Sequence, residues 1–219
     1  MTNIVCISDT HTKLNEIDIP EGDLLIHSGD CSFGGTETEI KEFNNQLGKI
    51  KHKFKQGIIF VPGNHDWLYE KNEKLARELT SNATVLIDEF VVVDGIKIYG
   101  SPFQPEFCSW AFNLPRGKKL KEKWDKIPID IDILVTHGPP YGIMDHVRPH
   151  PSNKGTHAGC EDLLEAVKRI KPRFHIFGHI HDSSGILDNG DTVFVNASNL
   201  DDNYLVEFNP YIVGLEKSK

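Results

Sequence analysis

Five short apolar runs in this chain are each followed within a few residues by side chains that can hold a metal ion or move a proton. Ile4-Val5-Cys6-Ile7 precedes Asp9 and His11, and Leu24-Leu25-Ile26 precedes Asp30. Ile58-Ile59-Phe60-Val61 precedes Asn64, His65 and Asp66, Ile133-Leu134-Val135 precedes His137, and Phe174-His175-Ile176-Phe177 precedes His179 and His181. Carboxylate, amide and imidazole groups are donors for borderline to hard divalent cations, so the combined pattern points to a metal centre. Singly, each is weak: Asp9-Thr10-His11 reads equally as a turn Asp beside a surface His, and Gly29-Asp30 as a turn or helix cap. Gly63-Asn64-His65-Asp66 is the sharpest local motif. Gly63 permits a tight turn, Asn64 offers a neutral oxygen, and Asp66 can orient the imidazole of His65 and favour its charged form. The same residues also read as a helix N-terminus with Asp66 in its first turn, and the two readings are compatible. On an extended segment, alternate residues share a face, which would bring Asp9 together with His11 and His179 together with His181.

The elements that must position these groups are legible as patterns. Short runs rich in Ile and Val, closed by Gly, Ser or Pro, predict buried strands. Where such strands run parallel, ligands gather beyond their carboxyl ends. Thr36 can cap a helix that carries Ile40, Phe43, Leu47 and Ile50 on one face. A second helix is predicted from about Glu70 to Leu79 with Leu75 and Leu79 buried, and a third over Lys118–Lys126. A fourth starts near Gly159, places Leu163, Leu164 and Val167 on one face, and ends before Pro172. Between these lie β-type runs at Val85–Ile87, Phe90–Val93 and Ile96–Tyr99, the last two joined by the hairpin signal Asp94-Gly95. The tail predicts hairpin strands at Ile186-Leu187, Thr192–Asn196 and Tyr204–Phe208. Parallel units combined with hairpins imply two packed sheets with helices outside. Two loops stand apart: Ser101–Gly117, rich in Pro and aromatic residues, which reads as a surface lid or as a substrate contact, and the segment carrying His146, Arg148, His150 and His157.

The 219 residues, 38% of them hydrophobic, suit one domain over 1–219. The net charge of −8 argues against general nucleic-acid binding. The Lys-rich stretches Lys49–Lys55 and Lys118–Lys126 read as solvated helix faces. Cys6, Cys31, Cys108 and Cys160 form no C-x-x-C pair. With no signal-peptide pattern and no run of membrane-spanning length, a reduced, cytoplasmic protein is expected. His27, His52 and His175 fit no ligand spacing and are assigned to the framework.

D-x-H, G-D, G-N-H-D, a His before Gly and G-H-x-H, in that order along the whole chain, resemble the calcineurin-like metallophosphoesterase superfamily. Gly100-Ser101-Pro102-Phe103-Gln104, Phe112–Gly117 and Thr136-His137-Gly138-Pro139-Pro140 resemble more closely its metallophosphoesterase-domain-containing branch. Some members of that branch carry Gly where this chain has His179, so a complete site is expected here. The resemblance implies an α/β fold, a four-layer α-β-β-α sandwich of two mixed sheets, with two divalent cations per chain. Mn²⁺ is favoured, with Fe²⁺, Zn²⁺ or Mg²⁺ as alternatives. Carried over, Asp9, His11, Asp30 and His181 would hold one cation, and Asp30, Asn64, His137 and His179 the other. His65, steadied by Asp66, would face the scissile phosphate as a proton donor, a role typically worth ~10²–10⁴ in rate. The cations would activate a shared water for attack on phosphorus. Asn64, His65 and Arg116 are candidate substrate contacts, although Arg116 reads equally as an ion-paired loop residue. The expected activity is hydrolysis of a small phosphodiester. The alternatives are phosphomonoester or protein-phosphatase chemistry, or a weakly active binding or scaffold module retaining the fold.

Overall fold

Each of the five apolar runs forms the strand expected of it, and the alternation of its side chains decides what packs on either face. The computed structural model describes residues 1–148 and 156–216; His150 lies outside the described residues. The strands are β1 (Thr2–Ile7), β2 (Leu24–His27), β3 (Ile58–Phe60), β4 (Thr84–Val85), β5 (Glu89–Val93), β6 (Ile96–Ser101), β7 (Gln104–Pro105) and β8 (Asn113–Leu114). They continue as β9 (Ile133–Thr136), β10 (His146–Val147), β11 (Thr156–His157), β12 (Phe174–Phe177), β13 (Gly185–Asp188), β14 (Val193–Asn196) and β15 (Tyr211–Leu215). The helices are α1 (Glu37–Ile50), α2 (Trp67–Lys71), α3 (Glu73–Leu79), α4 (Lys118–Trp124) and α5 (Glu161–Ile170).

One sheet has the order β15-β1-β2-β3-β4 and the other β13-β14-β12-β9-β6-β5. Their central strands are parallel, and antiparallel strands close the edges at β15, β13 and β5. Along β1, Ile4 and Cys6 face the layer between the sheets while Val5 and Ile7 face outward; β9 sends Ile133 and Val135 inward and Leu134 outward. The first sheet's outer face is covered by Ile40, Phe43 and Leu47 of α1. The second is covered by Leu120 and Trp124 of α4 and by Leu163, Ala166, Val167 and Ile170 of α5. The result is the four-layer sandwich of two mixed sheets. Each fully buried Ile, Leu or Phe contributes roughly 1.5–3 kcal/mol to holding the layers together.

Local signals were followed closely in places and overridden in others. Thr36 and Glu39 form a reciprocal capping box at the start of α1. The Asp94-Gly95 turn has positive φ at both residues, as a tight hairpin requires. The single helix expected over Glu70–Leu79 is broken at Asn72, whose side chain caps α3 through the amide of Leu75. Leu75 and Leu79 are only half-buried, and Ala76 is the residue that turns fully inward. In α5 Leu164 is likewise half-buried, with Ala166 and Ile170 taking the inner face. Tyr204–Phe208 is not a strand. The Asp201 carboxylate accepts from the amides of Asn203 and Leu205 and folds the segment into a turn, with Tyr204 at φ 59°. The final strand is β15, which pairs antiparallel with β1.

Two of the histidines assigned to the framework lock neighbouring strands. His27 bonds Thr10 Oγ1 at 2.9 Å, and His175 bonds Thr136 Oγ1 at 2.9 Å. Burial pulls both down to about 3, so both are neutral. His52 lies exposed after α1.

Candidate metal centre

The turns that follow β1, β2, β3, β9 and β12 meet where the sheets' carboxyl ends converge. His137 Nε2 lies 3.3 Å from Asp30 Oδ2 and 2.9 Å from Asn64 Oδ1. His11 Nε2 lies 3.8 Å from the same Asp30 oxygen, and His65 Nε2 4.0 Å from it. His181 Nε2 is 3.4 Å from Asp9 Oδ1. Ligand-type atoms of Asp9, His11 and His181, of Asp9, Asp30 and His137, and of His11, Asp30 and His65 lie within 4.8 Å of one another. The His179 ring stands 5.0 Å from that of His137, centroid to centroid.

Backbone carbonyls orient the imidazoles. His11 Nδ1 is bonded to Ser32 O, His137 Nδ1 to Ser28 O and His181 Nδ1 to Asp201 O. A carbonyl accepts only, so each Nδ1 carries the proton and each Nε2 turns toward the carboxylates. That is how histidines are prepared for a metal. His11 Nε2 is buried and has no hydrogen-bond partner, and its lone pair is one that a cation would take up. The donor set of carboxylate, amide oxygen and imidazole therefore fits divalent cations such as Mn²⁺, Fe²⁺, Zn²⁺ or Mg²⁺.

Charge in the site is strongly redistributed. Burial opposes ionisation of Asp9 and Asp30, yet His181 holds Asp9, and His137 holds Asp30, well below the usual carboxylate range. Against the pull of burial, Asp30 raises His137 to about 9 and Asp9 raises His181 to about 9. Burial lowers His11 to about 4 and His179 to about 3. Cation binding would release the protons on His137 and His181.

Convergence is achieved by turns, which replaces the expectation of extended D-x-H and H-x-H segments. Asp9, His11, Asp30 and His179 have φ of 53°, 37°, 56° and 70°, a conformation that is uncommon in non-glycine residues and concentrates at functional sites. The neighbouring glycines are required by space. A Cβ on Gly63 would lie 2.2 Å from Asp30 Oδ1, and one on Gly178 2.1 Å from Asp9 Oδ2. Gly63 has no left-handed φ.

Asn64 and His65 diverge, with Asn64 turned to His137. Asp66 does not orient the His65 imidazole. Its buried carboxylate accepts from the amides of Gly63, Asp30, Cys31 and Ser32 and from Ser32 Oγ at 2.7 Å. Burial, and then the nearby Asp30 charge, raise it to about 6. It stands at the N-cap position of α2 without making a side-chain cap. His65 is held instead by Phe33 O, 2.7 Å from Nδ1, and by the Trp110 ring 4.1 Å away and tilted by 32°.

Four participants were missed from sequence. Ser198 Oγ donates to Asp9 Oδ2 at 2.7 Å; it follows β14, so the strand-end rule could have found it. Phe33 and Tyr204 pack on the His11 ring, and Trp110 on His65. Phe33 carries no spacing signal, Tyr204 lies where a strand was expected, and Trp110 belongs to the aromatic-rich 101–117 loop.

A cleft of about 380 Å³ includes His179 and His181 in its wall. Much of the rest of the wall comes from the two loops singled out in the sequence, through residues that include Gln104, Phe107, Arg116, Arg148 and His157, and the turns after β9 and β12 add Pro139, Ile180 and Asp182. Ser101–Gly117 is a folded wall in which β7 pairs with β8. The guanidinium of Arg116 reaches Gly159 O, Ala158 O and the carboxylate of Glu161, tying the two loops together.

This chain belongs to the calcineurin-like phosphoesterase family, whose model matches residues 2–183. Human metallophosphoesterase domain-containing protein 1 is 40% identical over 98% of this chain and 71% of its own length. A probable glycerophosphodiester phosphodiesterase, GpdQ, of Arcobacter nitrofigilis is 26% identical over 89% of this chain and 77% of its own. The solved structure of phosphopantetheinyl hydrolase from Mycobacterium tuberculosis shares the fold, with a TM-score of 0.59 at 16% identity over 90% of this chain and 88% of that one. Among the described residues no helix is long and apolar enough to cross a membrane.

Proposed function

We propose that this chain is a metal-dependent phosphodiesterase with two divalent cations, Mn²⁺ favoured, acting on a small phosphodiester in the cytoplasm. The observation that carries the reading is the trio of carbonyl-tethered histidines, His11, His137 and His181, aimed at two buried carboxylates. Asp9, His11, Asp30 and His181 would hold one cation and Asp30, Asn64, His137 and His179 the other, with Asp30 shared. The close approach of Asp9 to Asp30 and His137 makes Asp9 a further neighbour of that shared position. Divalent cations held there would acidify a water and offset charge developing on the phosphate oxygens.

The remaining work falls to the chain's own groups. His65 is fixed by Phe33 O and Trp110 with Nε2 directed toward Asp30, so Nε2 is the atom that would hold or pass a proton at the leaving group. Asp66 positions the turns that carry Asp30 and His65. The four cysteines are unpaired, in keeping with a reducing compartment. The glycerophosphodiester named for the Arcobacter relative supports a diester over a monoester. The cleft is of small-molecule size, which favours a small ester over a folded protein substrate.

The test is metal analysis of Mn²⁺-loaded protein alongside rates on bis(p-nitrophenyl) phosphate and p-nitrophenyl phosphate. Two cations per chain and a faster diester rate are expected, with stabilisation of about 2.7 kcal/mol from each cation at a hundredfold excess over its Kd. Trace metal with no thermal shift would overturn the reading. A faster monoester rate would replace it with phosphomonoesterase.

A further inference from the structure

The wall of the cleft holds one buried acceptor that the protein leaves unused. Gln104, on β7, is 1% exposed, and its Nε2 donates to Asn113 Oδ1 at 3.2 Å across the β7–β8 pair. Asn113 Nδ2 in turn donates to Phe107 O at 2.6 Å. A backbone carbonyl only accepts, so this chain of bonds fixes both amides: the two nitrogens are donors, and Gln104 Oε1 is left as an acceptor. Oε1 is buried and has no hydrogen-bond partner among the described residues. Buried polar atoms are nearly always paired, so one left bare in the wall of a cleft points to a ligand.

Space for that ligand lies beside it. Gly138 directly follows His137, and a Cβ there would lie 3.6 Å from Gln104 Oε1 and 4.0 Å from His179 Cδ2. These are ordinary contact distances, so a gap the size of a methyl group lies between the amide oxygen and the His179 ring, and all three residues belong to the cleft wall. A phosphate oxygen cannot fill the gap, because an anionic oxygen also only accepts; the occupant must donate. A phosphodiester at the metal centre has two ester groups. His65, assigned to the leaving group, is not part of this wall, whereas His179 and His181 are, so the retained group is the one directed into the cleft. There it meets the carbon surfaces of Pro105, Phe107, Pro139 and Ile180. A neutral hydroxyl suits such surroundings, while an ammonium would lose hydration and be repelled by the cations. We propose that Gln104 Oε1 accepts from a hydroxyl on the retained ester group, so that the site selects phosphodiesters whose retained group is a short hydroxylated chain. This rests on the phosphodiesterase reading above. Further along the wall, His157 offers an acceptor of the same kind. Its Nδ1 lies 2.6 Å from Asp145 Oδ1, and a carboxylate that takes the Nδ1 proton leaves Nε2 of the neutral ring with a lone pair.

Two diesters that share the p-nitrophenolate leaving group and differ by one oxygen test the assignment: 3-hydroxypropyl and propyl p-nitrophenyl phosphate. On metal-loaded wild type, kcat/KM should favour the hydroxylated diester by roughly tenfold, the scale of one hydrogen bond. Gln104→Met, similar in shape but without the amide oxygen, should bring that ratio to about one. Gly138→Ala leaves the amide in place but fills the gap beside it, and should lower the ratio as well. A melting curve and metal analysis accompany each variant; should Gln104→Met fail to fold, Gly138→Ala decides. If Gln104 were merely structural, or held a water of the metal centre, its loss would slow both diesters together and leave the ratio unchanged. That outcome, or a ratio near one in wild type, would overturn the inference and leave the phosphodiesterase reading standing. No turnover of either diester by metal-loaded wild type would defeat that reading and this inference with it.

Discussion

The floor of the site and the wall of its cleft are built differently. On the floor, donors come from turns that directly follow strands, are buried, and are aimed by backbone carbonyls such as Ser28 O, Ser32 O and Asp201 O. On the wall, groups come also from the 101–117 loop and from residues 141–148 and 156–160, Arg116 and His157 among them are partly exposed, and side-chain pairs tie them, as Arg116 holds Glu161 and Asp145 holds His157. The floor cannot shift without moving a strand, whereas the wall can change with little effect on the layers beneath. A rigid floor suits common chemistry, and a separable wall suits selection among substrates.

Substitutions should divide along that line. Asp30→Asn should have the largest effect, lowering activity by more than about 10⁴-fold together with metal content, because the shared carboxylate contributes to both cation positions. Retention of two cations in this variant would break the assignment of the floor. Next, His65→Ala should lower kcat by roughly 10²–10⁴ with metal content near two. The deficit should be greatest on poor alkoxide leaving groups and smallest on nitrophenolates. Full activity on alkoxides, or a lost metal, would show that His65 is something other than a proton donor.

The framework beneath the floor is tested by acid. His27 and His175 stay neutral in the fold down to about 3 but take up a proton near 6.5 when unfolded. The unfolded state therefore binds more protons between those limits. Their contribution to stability is intact above about 6.5 and is lost as pH falls, at up to about 1.4 kcal/mol per pH unit for each. Urea midpoints measured from pH 7 to pH 4 should show a shallower acid decline in His175→Gln than in wild type. An unchanged slope would mean that His175 is protonated in the fold.

The smallest effect belongs to the wall. Arg116→Ala should change kcat/KM on bis(p-nitrophenyl) phosphate by less than about threefold, since an exposed ion pair contributes roughly 0–1 kcal/mol. A hundredfold loss would make Arg116 a direct phosphate contact.

The sequence determined the five strands that precede the metal-type residues and the two-sheet layering, because each of these is encoded locally. Alternating or continuous apolar runs specify strands, a Gly-bounded turn specifies their ends, and the side chain that follows is carried wherever that end goes. Tertiary structure decided what distant segments do to one another. Asp66 lies next to His65 in sequence yet spends its carboxylate on the amides of Gly63, Asp30, Cys31 and Ser32, because the end of β2 packs there. Tyr204 reaches the His11 ring only because Asp201 folds the tail into a turn where β-type residues predicted a strand. The Asp145–His157 pair joins residues twelve positions apart through a ribbon that composition alone does not reveal. Strand-end placement follows from side-chain periodicity and can be read along the chain. Hydrogen bonds between turns depend on which backbone donors the packed layers bring together, and only the folded molecule contains that information.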